Sequence, residues 1–314
     1  MNRSDFFKTL FALILLFAFS FQNANSSTLR KEAGKQDTLR VFLIGNSFSQ
    51  NATLYLPELA KEGGHCLILG RAEIGGCPLD KHWRLAELAE ANPNDPDGKP
   101  YHGKSLRMLL SQGKWDIVTL QQASILSGDY GTYFPYIQKL YDFIKSIQPN
   151  ARIVIHQTWA YRKDSKDFTK ISKDASATTA KEMWKKSRAA YKAAAAKLGV
   201  KIIPVGDAFW EVNSSKKWAF QKDMKFNEQD MTYPNLPDQK YSLHRGYYWD
   251  SHKKIIFDTH HANDAGCYLG ALVWYSFLFG ESTKNLKFVP AGVPDDFAGY
   301  LKKVADAQAE KHRK

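Results

Sequence analysis

Two short segments carry residue types that can move a proton and form a covalent bond. In Asp258-Thr259-His260-His261 a carboxylate stands three residues ahead of an imidazole. On a turn, Asp258 can accept the Nδ1–H of His261, which fixes the tautomer and leaves Nε2 free to take a proton from a hydroxyl. In Gly45-Asn46-Ser47-Phe48-Ser49 a hydroxyl residue follows an apolar run and precedes a helix-like stretch. Ser47 is therefore expected near a helix N-terminus, where developing negative charge is favoured. Each segment has a plainer reading: Ser47 or Ser49 as a helix N-cap, and the histidine-rich turn as solvated surface or as a metal cluster of Asp258, His260, His261 and Asp264. His260 is the rival base, one residue nearer to Asp258 than His261 is.

Ligands of open α/β sheets gather at the carboxyl ends of the strands, so both segments need a sheet that ends beside them. The run from Leu39 to Ile44 is β-branched and apolar, stops at Gly45 and predicts a buried strand. A helix over 51–61, a strand over 65–71, a turn at Gly75-Gly76 and a helix over 79–91 follow. Residues 92–103 are a Pro/Gly/Asp-rich loop. Beyond them the pattern predicts a short helix near 105–112, a strand over 116–120, a helix near 134–147 and a strand over 152–156. A long helix over 178–198 ends at Gly199 and leads to a strand over 201–205, and a final helix over 264–279 ends at Gly280. Alternating strands and helices predict a parallel sheet covered on both faces. Residues 211–255, rich in Tyr, Trp, Lys and Asp, read as a long insertion reaching over the sheet end. No internal repeat interrupts 39–280, which favours one domain.

A strand-end Gly-x-Ser followed much later by Asp-x-x-His resembles the SGNH/GDSL hydrolase superfamily, over residues 39–280. The resemblance implies a flavodoxin-like three-layer α/β/α sandwich with a mainly parallel five-stranded sheet. It implies Ser47 as nucleophile, His261 as general base and Asp258 as its orienter. It also implies an oxyanion hole made by the Ser47 N–H, by Gly75 or Gly76 in a second block, and by an Asn amide in a third. This chain has Leu120-Gln121-Gln122-Ala123-Ser124 at the third block. A Gln amide donates the same hydrogen bond as an Asn amide, so Gln121 or Gln122 is expected to fill that role. The first block departs from the superfamily pattern, with Asn46 for Asp and Phe48 for Leu. Together with His156-Gln157-Thr158-Trp159-Ala160-Tyr161-Arg162, these features look like a divergent branch of exported bacterial proteins.

Trp159 and Tyr161, with Tyr247, Tyr248 and Trp249, follow strand ends or lie in the insertion, where aromatics can form a platform for a sugar or simply anchor the core. His244-Arg245 is a candidate contact for an anion or carboxylate.

At 314 residues, 44% hydrophobic and 24% charged, the chain can bury a sizeable core, which excludes disorder and collagen. Three Cys exclude a dense disulfide scaffold. With no C-x-x-C spacing they suggest neither a zinc nor a redox motif, though a Cys66–Cys77 bridge is open in an oxidising compartment. Residues 1–26 run from Arg3 and Lys8 through an apolar stretch to Asn25-Ser26, the layout of a cleaved signal peptide and too short to span a bilayer. Residues 27–38 read as a linker and 39–314 as the hydrolase-like domain. Cleavage would remove two cations and one anion and lower the formal charge from +12 to +11. The excess is scattered, down to the tail Lys311-His312-Arg313-Lys314, without a nucleic-acid-binding motif. It suits a solvated surface and association with an anionic envelope. Asn51-Ala52-Thr53 fits a glycosylation sequon, which matters only in a eukaryotic secretory pathway.

The expectation is a secreted or periplasmic serine hydrolase that transfers an acyl group to water from a small-molecule or polysaccharide ester, with an O-acylated carbohydrate foremost. It would need no cofactor and no metal, and would bind no nucleic acid. The alternative is a catalytically silent carbohydrate-binding protein on the same fold.

Overall fold

Strand β1 (Thr38–Gly45) is apolar on both faces because both faces are covered: Val41 and Leu43 enter one core, Phe42 and Ile44 the other. The computed structural model describes residues 38–170, 177–227, 229 and 231–313. Strands β1, β2 (Cys66–Glu73), β3 (Ile117–Leu120), β4 (Arg152–His156) and β5 (Lys201–Ile203) pair in parallel in the order β2-β1-β3-β4-β5. Their register aligns Gly45 with Glu73 and Ile44 with Leu120, so the segments that leave these strands emerge at one edge.

Helices α1 (Ser47–Ala52), α2 (Leu56–Glu62), α7 (Val205–Asn213), α8 (Asp264–Phe279) and α9 (Asp295–Arg313) cover one face. Helices α3 (Leu79–Ala91), α4 (Leu106–Leu110), α5 (Tyr136–Ile147) and most of α6 (Ala180–Leu198) cover the other. This is the three-layer α/β/α sandwich expected from the sequence. Helix α8 is apolar nearly all round, and its buried run from Ala265 to Phe277 packs against α1, α2, α7 and α9. Gly270 permits the closest approach: a Cβ there would sit 2.7 Å from the Ala52 Cα. A second sheet, separate from the first, pairs β6 (His244–Trp249) with β7 (Ile255–Ala262) in antiparallel fashion.

Several expectations change. The helix expected over 51–61 is two helices, α1 beginning at Ser47 and α2 carrying Pro57 in its first turn. Strand β5 stops at Ile203 because Pro204 has no N–H to continue the ladder, and α7 follows at once. The insertion read over 211–255 begins with the end of α7, and its last residues join 255–262 in the β6–β7 hairpin. The basic tail is in large part the last turn of α9, whose Phe297, Leu301, Val304 and Ala305 are buried at helical spacing. All three cysteines are free. Cys66 is the first residue of the eight-residue β2 and Cys77 lies beyond its end, so the strand, at ~3.3 Å per residue, holds them far apart. The described residues make one compact unit, and the expected signal peptide lies outside them. Among the described residues no helix is long and apolar enough to cross a membrane.

Candidate active site

Ser47 is the first residue of α1, set directly beyond the end of β1. Asn46 caps the helix, its Oδ1 accepting the Phe48 N–H at 3.0 Å. The turn is tight. A Cβ on Gly45 would lie 2.6 Å from Ser49 Oγ, and that hydroxyl is itself 2.6 Å from Glu73 Oε1. The capping role suggested for Ser47 or Ser49 thus belongs to Asn46, and the Ser47 side chain is left for another partner.

That partner is His261, whose Nε2 lies 2.9 Å from Ser47 Oγ. His261 Nδ1 lies 2.8 Å from Asp258 Oδ2, and a carboxylate only accepts, so Nδ1 carries the proton and Nε2 accepts from the Ser47 hydroxyl. Asp258 Oδ1 accepts the backbone N–H groups of His260 and His261 at 3.1 and 3.0 Å. Burial alone would push this carboxyl up, but the hydrogen bonds from His261, together with the neighbouring imidazoles, hold it well below the usual carboxylate range.

The unit was expected on a turn and lies instead in an irregular part of β7. The ladder pairs Gly246 with Asp258 and His244 with Ala262, so three residues of β7 face the single Arg245 of β6. The bulge turns His261 back towards Ser47. His260 also reaches Asp258, with Nδ1 3.3 Å from Oδ1, but the contact with Ser47 is made by His261. Asp258, His260 and His261 present ligand-type atoms within 4.8 Å of one another. The Asp264 carboxylate of the suggested metal cluster instead accepts the Tyr55 hydroxyl at 2.8 Å.

A cavity of about 520 Å³ opens over Ser47, lined among others by Gly75, Gly76, Ser124, Tyr161 and His261. Gly76 has φ +64°, a conformation that favours glycine, and a Cβ at Gly75 or Gly76 would meet nothing within 4 Å. The glutamines behave otherwise. Gln121 is buried, its Nε2 donating to Asn46 Oδ1 at 2.5 Å and its Oε1 accepting from His156 Nδ1 at 2.9 Å. Gln122 is buried too, its Nε2 donating to Thr132 and its Oε1 accepting from the Leu79 and Ala123 N–H groups. Both amides are committed behind the cavity, which corrects the expectation that one would face an oxyanion. Of the third block, Ala123 and Ser124 line the cavity, and Ser124 brings the polar side chain, its hydroxyl 3.2 Å from that of Tyr161.

The other expected contacts divide. Trp159 is a core residue: it stacks on Phe209 with centroids 4.4 Å apart, and its Nε1 donates to His260 O at 2.8 Å. It is no sugar platform, but it tethers the strand that carries His261. His244 is also buried, its Nε2 donating to Ala160 O, so it offers no ligand contact. Tyr161 lines the first cavity, whereas Arg245 and Tyr248 line a second one beside His261. Sequence reasoning missed His82, whose Nε2–H donates to Gly45 O at 3.0 Å while Nδ1 accepts from Tyr101 at 2.8 Å. Burial pushes its pKa down to about 4, so it supports the turn as a neutral ring. A lone His in a helical segment carries no sequence signal for such a role.

The sequence profile of the DUF4886 family, a domain of unknown function, matches residues 40–233. The fold is similar to the crystal structure of a DUF4886 family protein from Bacteroides uniformis ATCC 8492. The two are 26% identical, with a TM-score of 0.68 over 88% of this chain and 97% of that one. A candidate SGNH hydrolase from Slackia heliotrinireducens is 20% identical, with a TM-score of 0.47 over 76% of this chain and 98% of that one. No curated protein matches the chain.

Proposed function

The chain belongs to the DUF4886 family, and we propose that it is a serine ester hydrolase in which Ser47, His261 and Asp258 form the catalytic triad. The observation that carries this reading is the continuous relay Asp258 Oδ2···His261 Nδ1 and His261 Nε2···Ser47 Oγ, at 2.8 and 2.9 Å. A hydroxyl held by an imidazole, itself oriented by a carboxylate, is an activated nucleophile.

In the proposed reaction His261 Nε2 takes the Ser47 proton as Oγ bonds to the ester carbonyl carbon. The tetrahedral adduct collapses, the bond to the alcohol oxygen breaks, and His261 returns the proton to that oxygen. Water then attacks the acyl-serine with His261 again as base, releasing the acid and restoring Ser47. The carbonyl oxygen turns towards the N–H groups of Ser47 and of Gly75 or Gly76. With both glutamine amides engaged elsewhere, the hydroxyl of Ser124 serves as the side-chain donor. The proposal extends to export through residues 1–26 and to O-acylated carbohydrates as substrates.

The test is labelling with a fluorophosphonate probe, followed by a panel of acetylated sugars and short aryl esters. Wild type is expected to be labelled and Ser47→Ala not. A folded wild type that takes no label and hydrolyses no ester would overturn the proposal.

A further inference from the structure

His261 lines two cavities. The first holds Ser47, Gly75 and Gly76, and the second, about 430 Å³, includes Arg245, Tyr248 and Asn51 on its wall. We propose that the second cavity receives the alcohol half of the substrate and that Arg245 selects alcohols bearing a carboxylate, as in an ester of an acidic sugar. This rests on the hydrolase reading, because it is the leaving alcohol oxygen that must collect the proton from His261. The departing group therefore passes on the histidine side of the nucleophile, whereas the acyl carbon stays beside Ser47 and the two glycines.

The charge arrangement favours an anion. Arg71, Arg107, Arg162 and Arg188 each pair with a carboxylate, whereas Arg245, like Arg40, Arg84, Arg152 and Arg313, pairs with none among the described residues, and it is Arg245 that stands on the wall of this cavity. Its guanidinium lies 4.2 Å from the centroid of the Tyr248 ring, a support that leaves its N–H groups available for planar, two-point recognition of a carboxylate. Its place on β6 is opposite the bulge that contains His261, so the same irregularity sets both residues beside one space. Asn51 Oδ1 accepts the Ala262 N–H at 3.1 Å, and its amide N–H groups add neutral donors to the wall. The acid on that wall is Asp264, whose carboxylate is occupied by Tyr55 and lies in the first turn of α8, where its charge is offset by the helix. A hexuronate fits a space of this size, which lies within the usual range for small-ligand sites.

Binding tests the site apart from catalysis. Methyl glucuronoside and the uncharged methyl glucoside are titrated calorimetrically into the full chain carrying Ser47→Ala, which cannot turn over an ester. The acid is expected to bind about tenfold more tightly, the preference falling to near parity when Arg245→Gln is added and persisting in part with Arg245→Lys. Raising the salt concentration should weaken binding of the acid and leave the neutral sugar unaffected, which keeps the test open if the Gln variant does not fold. Equal binding of the two sugars, undetectable binding of both, a preference that survives Arg245→Gln, or one indifferent to salt overturns the assignment. Fluorophosphonate labelling of wild-type Ser47 is scored separately: label without acid preference defeats this inference alone, whereas acid preference without label defeats the hydrolase reading and with it the leaving-group role, keeping only a carboxylate site at Arg245.

Discussion

The Gln121 side-chain amide donates to Asn46 Oδ1 at 2.5 Å, and that same oxygen accepts the Phe48 N–H. Gln121 thus acts on Ser47, the proposed nucleophile, through the residue that caps its helix, with His156 behind it. Removing the amide leaves the His156 Nδ1–H, fully buried, without its acceptor, which costs about 1–3 kcal/mol, and opens a void besides. Gln121→Ala is therefore expected to lower stability by roughly 2–4 kcal/mol in chemical denaturation. Below its unfolding transition kcat should fall by less than about tenfold, because its amide does not face the oxyanion.

Ser124→Ala should give the opposite pattern. The hydroxyl is on the cavity wall, and loss of this proposed oxyanion donor is expected to lower kcat by about a hundredfold with KM nearly constant. Ser124→Thr keeps a hydroxyl and should recover part of the rate. Steady-state kinetics on an aryl acetate decides between the two positions: a larger kcat loss in Gln121→Ala than in Ser124→Ala would restore the glutamine to the oxyanion hole.

Asp258→Asn keeps the side-chain shape but can donate to His261 Nδ1, favouring the tautomer whose Nε2 carries the proton and cannot take one from Ser47. A loss in kcat on the order of 10³ to 10⁴ is expected, with fluorophosphonate labelling slowed in proportion. A loss smaller than tenfold would mean that Asp258 does not set the tautomer.

The alternation of strands and helices was legible because it rests on local pattern, as in the apolar run that ends at Gly45 and the helix that ends at Gly199, and the Asp258–His261 contact was legible from Asp-x-x-His; the layers and the place of Ser47 beside them were read through the family resemblance. The glutamine role was not legible. Residue type says that Gln121 can donate, but only tertiary contact shows that Asn46 has taken the donor. The Trp159 platform and the His244 anion contact fail for the same reason, since neither an aromatic after a strand nor a His in a polar insertion shows by its type whether it meets solvent or, as both do, packs on Phe209. Helix α9 was not legible although Phe297, Leu301 and Val304 have helical spacing, because Gly299, a poor helix former, and the many charged residues of the segment dilute its apolar stripe.

Three buried histidines make stability depend on pH. Burial pushes His82 and His244 down to about 4 and His156 to about 3, so between those values and the ordinary range near 6.5 the unfolded chain binds protons that the folded chain refuses. Stability attributable to them is present above pH 6.5 and is lost as the pH falls towards 4. Each contributes on the order of 2 kcal/mol between pH 7 and 5. Urea denaturation at the two pH values should show a loss of several kcal/mol; a midpoint unchanged between pH 7 and 5 would mean that the three rings are not held neutral by burial.

Gly246 links the insertion to the site. Its φ is +65°, and a Cβ would lie 2.0 Å from both Arg162 Nη1 and Gln239 Oε1. Those two groups join the hairpin to the loop after β4: Arg162 Nη1 donates to Gln239 Oε1 at 2.7 Å, and the Arg162 N–H donates to Thr259 O at 2.8 Å. Gly246 also pairs with Asp258 across the ladder, at the start of the bulge that aims His261. Gly246→Ala brings a strained backbone and displaces Arg162, so a loss of at least about 2 kcal/mol in stability is expected. The catalytic effect should appear in kcat more than in KM, since the change loosens His261 without touching Ser47 or the cavity wall. Thermal unfolding and steady-state kinetics on the same preparation check both parts, and a fully stable, fully active Gly246→Ala would show that the hairpin does not fix the geometry of His261.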